Sequence, residues 1–363
     1  MRAFSRLLVV AVAVVTTGFT PSAPAVAGAQ GVPGIQSIGP LAFGPGDVLF
    51  AADTRGAAIF AFELGAPARG AAAGAKDVAG IDQKIAALLG TDAAGVTITD
   101  LAVHPTTRNA YLAVMRGQGA DAQPALVRVD GDGTLEALAL GSLRHTRAAL
   151  PNAPAEATTG RRNPRADSIT DMAFVEGKLV IAGLSNEEFA SKLRTVAYPF
   201  AAVEPGTSVE IYHGNHGQLE TRSPVYAFVP YNVGGTPHLI AGYLCTPLVT
   251  FPVASLTGTQ KIVGTTIAEL GAGNRPIDML VYKKDGREFL LMSNTSRGVM
   301  KIPTDGFASA APITTRVGGT AGVPFETIAG MTGVVQMDLL DVGRTLVLTR
   351  LEGAINLHAV SLP

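Results

Sequence analysis

One cysteine, Cys245, stands in a chain of 363 residues. No intramolecular disulfide can form, so stability has to come from a packed core. Charge is scarce as well. Asp, Glu, Lys and Arg make up 16% of the chain, against about 25% in ordinary soluble domains. The formal net charge is −1, which leaves no electrostatic footprint for a nucleic-acid partner. No polybasic run is present to meet anionic lipid. Beyond the N-terminal region no apolar stretch is long enough to span a bilayer, so membrane insertion of the mature chain is not expected. The common catalytic signatures are missing too: G-x-S-x-G, H-E-x-x-H, a P-loop, and a dinucleotide glycine pattern after a strand. Val233-Gly234-Gly235-Thr236 lies between two apolar runs and reads as a turn, not a phosphate cradle.

What is present begins with a leader. Arg2 and Arg6 flank the start of an apolar run from Leu7 to Val15, and the small residues Ala23 to Ala29 follow. A basic start, a short apolar core and an A-x-A site make a secretory signal peptide. Cleavage is expected after Ala27 or Ala29. Residues 1–29 are then the signal, and 30–363 form one exported domain, periplasmic or secreted by a bacterium.

The mature chain repeats a phrase. Ser168 to Val175, a turn at Gly177, and Lys178 to Ala182 read as an apolar strand, a tight turn and a second apolar strand. Related phrases begin near residues 38, 98, 225, 277 and 336, most with a third strand. The clearest fourth strand is 264–270. Many glycines and prolines (42 and 23) with a hydrophobic share of 47% suit short buried strands joined by tight turns. Repetition of four strands is the mark of a β-propeller. The sequence therefore predicts an all-β fold: a propeller of six blades, with room for a seventh in the stretches 65–95 or 130–165. Short helices are expected in inter-strand loops at 81–89, stopped by Gly90, and at 185–193, opened by Ser185 and an acidic first turn. Residues 146–167 read as a long loop. A strand from residues 30–36 is expected to complete the last blade and close the ring. In repeat and strand pattern, over nearly all of the mature chain, the sequence resembles secreted bacterial β-propeller proteins, a likeness of fold that assigns no function.

In such a disc, the loops into each innermost strand and between second and third strands open on one face. Asp100, Asp171, Asp278 and Asp338 hold the same place at the start of four innermost strands. Four carboxylates near one axis repel; at ~6 Å and an effective dielectric of ~20 each pair costs about 3 kcal/mol. A bound calcium ion, arginines (Arg162, Arg165, Arg222 or Arg275), protonation or outward splay would offset this. Backbone amides of blade-joining turns are the alternative partners. Tyr212-His213-Gly214-Asn215-His216 puts two imidazoles on one glycine-flanked loop, and Cys245 lies in a loop of the adjoining blade. Two imidazoles and a thiolate are a soft set for copper or zinc; a pair of surface histidines and an inert cysteine is the plainer reading. Asn186 and the 293–297 loop add polar groups to the same face.

The leading expectation is an exported binding protein with a ligand or metal site at the channel mouth. Asp100, Asp171, Asp278, Asp338, Asn186 and Arg275 are the candidate ligand-binding residues, and His213, His216 and Cys245 the metal candidates. The expected partner is a small ligand or metal ion, or a periplasmic protein. One alternative is a metal-dependent enzyme, either a lactonase-like hydrolase or a copper oxidase. The other is a protein-interaction platform.

Overall fold

The computed structural model describes residues 34–65, 77–157, 163–258 and 260–363. The expected leader and Arg162 lie outside them, so the signal-peptide reading has no structural counterpart here. No helix among the described residues is long and apolar enough to cross a membrane.

The described strands form six sheets, each with its first strand innermost. Blade 1 contains Leu41–Phe43, Val48–Asp53 and Ala58–Glu63, with Arg144–Ala149 as its outer strand. Blade 2 runs Val96–Val103, Ala110–Arg116, Gln123–Val129 and Leu135–Leu138. Blade 3 runs Asp171–Val175, Lys178–Leu184, Ser191–Ala197 and Thr207–His213, edged by Gln218–Glu220. Blade 4 runs Ala227–Val233, Thr236–Gly242, Pro247–Pro252 and Thr265–Leu270, edged by Thr320–Gly322. Blade 5 runs Pro276–Lys284, Arg287–Asn294, Gly298–Pro303 and Glu326–Thr327. Blade 6 has three strands, Val334–Asp341, Arg344–Leu351 and Ala354–Ser361. The chain is a six-bladed β-propeller, and the seventh blade the sequence left room for is not among the described residues.

Six apolar clusters hold the disc, and each straddles two blades. Leu41, Phe60 and Phe62 of blade 1 pack against Tyr111 and Leu126 of blade 2. Phe50 and Ile59 on the other face of blade 1 meet Met172 and Ile181 of blade 3. This explains why second strands such as Val48–Asp53 are buried at every position: both faces are covered, so a continuous apolar run replaces the alternation of a half-solvated strand.

The clusters also give the ring order, which differs from the chain order. Leu340, Leu346, Leu348 and Leu357 of blade 6 share a cluster with Leu101, Leu112 and Val127 of blade 2. The ring therefore runs 2–1–3–4–5–6 and back to 2. After the inner three strands of blade 1 the chain lays blade 2 on one side, returns with Arg144–Ala149 to finish blade 1, and then continues to blade 3 on the other side. The stretch read as a loop at 146–167 thus begins in a strand.

Of residues 30–36, expected to close the ring, 30–33 lie outside the described residues. Gly34, Ile35 and Gln36 carry no strand. The amides of Gln36 and Ser37 bond the buried Asp53 carboxylate of blade 1, each at 2.9 Å. Blade 6 keeps three strands, and its outer edge is met by Val78, which bridges Leu357. The helix Ile81–Leu89 follows, buries Ile81, Ile85 and Leu89 in the blade 2–blade 6 cluster, and ends at Gly90 in the left-handed region (φ 67°) as its sequence signalled. The helix expected at 185–193 is absent. Residues 185–190 form a loop and Ser191–Ala197 is a strand. Ser185 Oγ does accept the Glu187 amide at 3.2 Å, as a helix cap would, but the two faces of the following residues are both claimed by neighbouring blades. Leu193 packs toward blade 4 and Val196 toward blade 1.

Candidate functional site

The four repeat-locked aspartates sit at the innermost strands and are half-buried. Each reaches across a seam. Asp100 of blade 2 accepts the Leu41 amide of blade 1 at 2.6 Å. Asp171 of blade 3 accepts Phe228 N of blade 4 at 2.6 Å. Asp278 of blade 5 accepts Met337 N of blade 6 at 2.9 Å, and Asp338 of blade 6 accepts Val103 N of blade 2 at 2.6 Å. In Asp171, Asp278 and Asp338 the second oxygen takes the amide of the next residue. The carboxylates are staples between blades, and amide donors supply what the sequence reading sought in arginines or a cation.

Burial pushes the Asp171 carboxyl up to about 7 and that of Asp338 up to about 6, against the pull of these amides. Burial raises Asp100 and Asp278 as well, and the neighbouring aspartates add to the rise.

Above the start of the innermost strands lies a cavity of about 650 Å³. All six blades line it, through Arg55, Gln118, Thr170, Tyr226, Arg275 and Gln336 among others. Arg55 donates from Nη2 to Ala120 O at 3.0 Å. The exposed Arg275 guanidinium lies 5.2 Å from the centre of the Tyr226 ring. Of the residues expected to bind a ligand, Arg275 is at this mouth. Asn186 and the four aspartates do not line it.

The histidines and the cysteine are brought together elsewhere on the same face. His213 ends the fourth strand of blade 3, and the turn to Gln218 carries His216. Gly217, at φ 69°, takes the left-handed backbone that this turn requires. Its amide bonds His213 O at 2.8 Å. Cys245 lies between the second and third strands of blade 4. Cys245 and Thr246 both have left-handed backbone, φ 61° and 55°. The loop is held by Cys245 N to Asn274 O at 2.7 Å and by Thr246 Oγ1 to Gly271 O at 2.9 Å.

Across the blade 3–blade 4 seam, one donor atom each from His213, His216 and Cys245 lie within 4.8 Å of one another. His213 is buried, Cys245 half-buried, and the His216 side chain 46% exposed. The two imidazole rings are 3.8 Å apart between centres. One carboxylate orders both. Glu220 accepts from His213 Nδ1 at 3.0 Å and from His216 Nδ1 at 2.6 Å. Burial works against the Glu220 charge, but the two imidazoles outweigh it and hold the carboxyl at about 2. An ionised carboxylate only accepts hydrogen bonds, so both Nδ1 atoms donate to it, and Nε2 is the ring atom left for another partner when the imidazole is neutral. His213 Nε2 is buried and has no hydrogen-bond partner. None of these residues lines the axial cavity, so this centre and the channel mouth are separate places.

Glu220 and Glu269 were not singled out from the sequence. Glu269 is a fully buried carboxylate 4.0 Å from His213 Nε2. Its signal was present: an acidic residue between the apolar residues Ile267, Ala268 and Leu270 of the fourth strand Thr265–Leu270.

No protein-family model matches the chain, and no curated protein does. Solved structures do. A glucose dehydrogenase is 15% identical over 91% of this chain and 98% of its own, with a TM-score of 0.38. The soluble aldose sugar dehydrogenase of Escherichia coli is 13% identical over 92% and 98%, at 0.33. Hydrazine synthase from Kuenenia stuttgartiensis is 11% identical over 95% and 99%, at 0.40. Likenesses this distant carry no argument about chemistry. The propeller is read from this chain's own strand order, and its function from its own residues.

Proposed function

We propose that this is an exported metal-binding β-propeller, whose ion is held by His213, His216 and Cys245 at the seam of blades 3 and 4. The observation that carries the reading is that one donor atom each from two imidazoles and a thiol lie within 4.8 Å of one another at a seam, with His213 Nε2 buried there and without a partner. A buried polar atom without a partner costs about 1–3 kcal/mol, and an ion at that point removes the cost. Thiolate with imidazole suits zinc or copper, not calcium. The export signal and the bonded Nδ1 atoms support the same reading. The first would deliver the chain to a compartment where a lone thiol needs burial or a ligand; the second are the outer-shell anchors that metal-binding histidines use.

The test is a zinc titration of the chelator-stripped full chain by calorimetry, with thermal unfolding alongside. One equivalent should bind, and a hundredfold excess over Kd should add about 2.7 kcal/mol of stability. No heat of binding and no shift in melting would sink the reading.

A second reading concerns the mouth cavity, where two cationic side chains, Arg55 and Arg275, outnumber the one carboxylate, Asp167, in a ring of residues from all six blades. A small anionic ligand fits that charge. In a fragment screen by ligand-observed NMR, carboxylate-bearing compounds should give saturation transfer that falls by about half or more in Arg275→Ala, as loss of one charge-assisted contact implies. Equal signals from the two proteins would rule the arginine out.

A further inference from the structure

Glu269 has no lysine or arginine partner among the described residues. Its Oε1 accepts the Gly214 amide at 2.5 Å and its Oε2 accepts Asn215 Nδ2 at 2.7 Å. A carboxylate with no exposed surface is stable only when paired with a cation or fully hydrogen-bonded. With the Asn215 backbone amide as a third donor, about one of the carboxylate's four acceptor sites stays open. Facing it is the other unsatisfied group of the region, His213 Nε2, at 4.0 Å from Oε2. That is too far for a hydrogen bond. It is about half an ångström longer than the roughly 3.4 Å that separates nitrogen and oxygen donors on a tetrahedral zinc with bonds near 2.1 Å. One ion between the two resolves both defects, with a small closing movement to reach tetrahedral angles.

We propose that Glu269 is the fourth ligand, making a Cys–His₂–Glu centre that selects a divalent metal over cuprous copper. This rests on the metal-centre reading above and adds to it the identity of the fourth donor and the charge of the ion. His213 and His216 come from blade 3, Cys245 and Glu269 from blade 4, so the ion bolts one blade to the next. Gly214 is what lets the carboxylate approach. A Cβ there would lie 3.0 Å from Glu269 Oε1 and 2.8 Å from a Val317 methyl. The selectivity follows from charge and hardness. A thiolate, the Glu269 carboxylate and the Glu220 carboxylate behind the imidazoles place three negative charges around a largely buried point. A divalent ion neutralises more of them than a monovalent one, and the oxygen donor suits zinc better than cuprous copper.

Cobalt(II) makes the ligand set visible. The chelator-stripped full chain is titrated with cobalt, and the Glu269→Gln variant is compared. The wild type should bind one equivalent with intense tetrahedral d–d bands and a thiolate-to-metal charge-transfer band. Glu269→Gln should keep the thiolate band, shift and weaken the d–d bands, and bind at least about 10-fold more weakly. Competition with a cuprous chelate should show the preference for zinc reduced in the variant by a similar factor. Unchanged d–d bands and affinity in Glu269→Gln would overturn the fourth-ligand assignment while leaving the three-donor centre standing. No cobalt spectrum in the wild type would overturn the centre itself. If Glu269→Gln does not fold, Glu269→Asp decides the matter, because it keeps the buried charge but withdraws the oxygens by one methylene. The same spectral change is then required, and its absence counts against the proposal.

Discussion

Asp338→Ala is expected to lower the unfolding free energy by about 2–4 kcal/mol. The substitution strips acceptors from two amides, Val103 N at 2.6 Å and Leu339 N at 2.6 Å. Each buried donor left without a partner costs about 1–3 kcal/mol, and water from the axis recovers part of that. The staple joins blade 6 to blade 2, the junction at which the ring closes, so the loss is felt at a seam with no shared strand. Asp338→Asn keeps one acceptor oxygen and should lose roughly half as much.

The same residue sets a pH dependence. Its carboxyl titrates near 6 and that of Asp171 near 7 in the folded chain, against about 3.9 unfolded. The native state therefore binds protons more tightly than the unfolded state over that range. Stability is fully present below about pH 4 as far as these groups are concerned, and declines as pH rises toward 7. Asp338→Asn should flatten the decline between about pH 4 and 6. Urea midpoints across pH 4–8 for both variants check the two claims, and a wild-type profile that rises over this range contradicts the second.

His213→Ala is expected to weaken zinc binding by more than about 100-fold, the upper end of what even an outer-shell loss costs, and to remove the metal-induced rise in melting temperature. His213 is the buried imidazole of the set, and its unpartnered Nε2 lies 4.0 Å from Glu269. His216, about half open to solvent, should matter less when replaced. Zinc titrations of the two single variants order them directly. Equal, modest losses for both would mean that the ion sits at the surface histidine and not in the seam.

Much of this arrangement could be read from residue order, and the failures have physical causes. Strands announced themselves because continuous apolar runs of a few residues between glycine turns suit sheets covered on both faces. The aspartate register was legible for the same reason, since a polar group recurring at one place in a repeat serves the repeat. Which amides it served was not legible, because those amides belong to another blade. The meeting of His213, His216 and Cys245 followed from loop class alone: ends of fourth strands and second-to-third loops open on one face. The ring order was invisible. Nothing in the blade 2 strands says on which side of blade 1 they pack, and the deciding contacts join residues such as Leu101 and Leu340 that are far apart in the chain. The false helix at 185–193 came from a serine and two glutamates that imitate a cap; the alternating sides taken by Leu193 and Val196 were the better signal.

Blade 2 is laid down early, yet the neighbour that covers one of its faces is the last to be made. During synthesis the arc grows only at the other end, through blades 3, 4 and 5. Meanwhile Leu112, Val127 and the helix Ile81–Leu89 wait for Leu346, Leu348 and Leu357. A nascent chain on the ribosome thus carries two uncovered apolar ends until the strands of blade 6 arrive. Residues 354–361 bring Ile355 and Leu357 to this seam, and without them part of the blade 2 face and of the helix would stay uncovered.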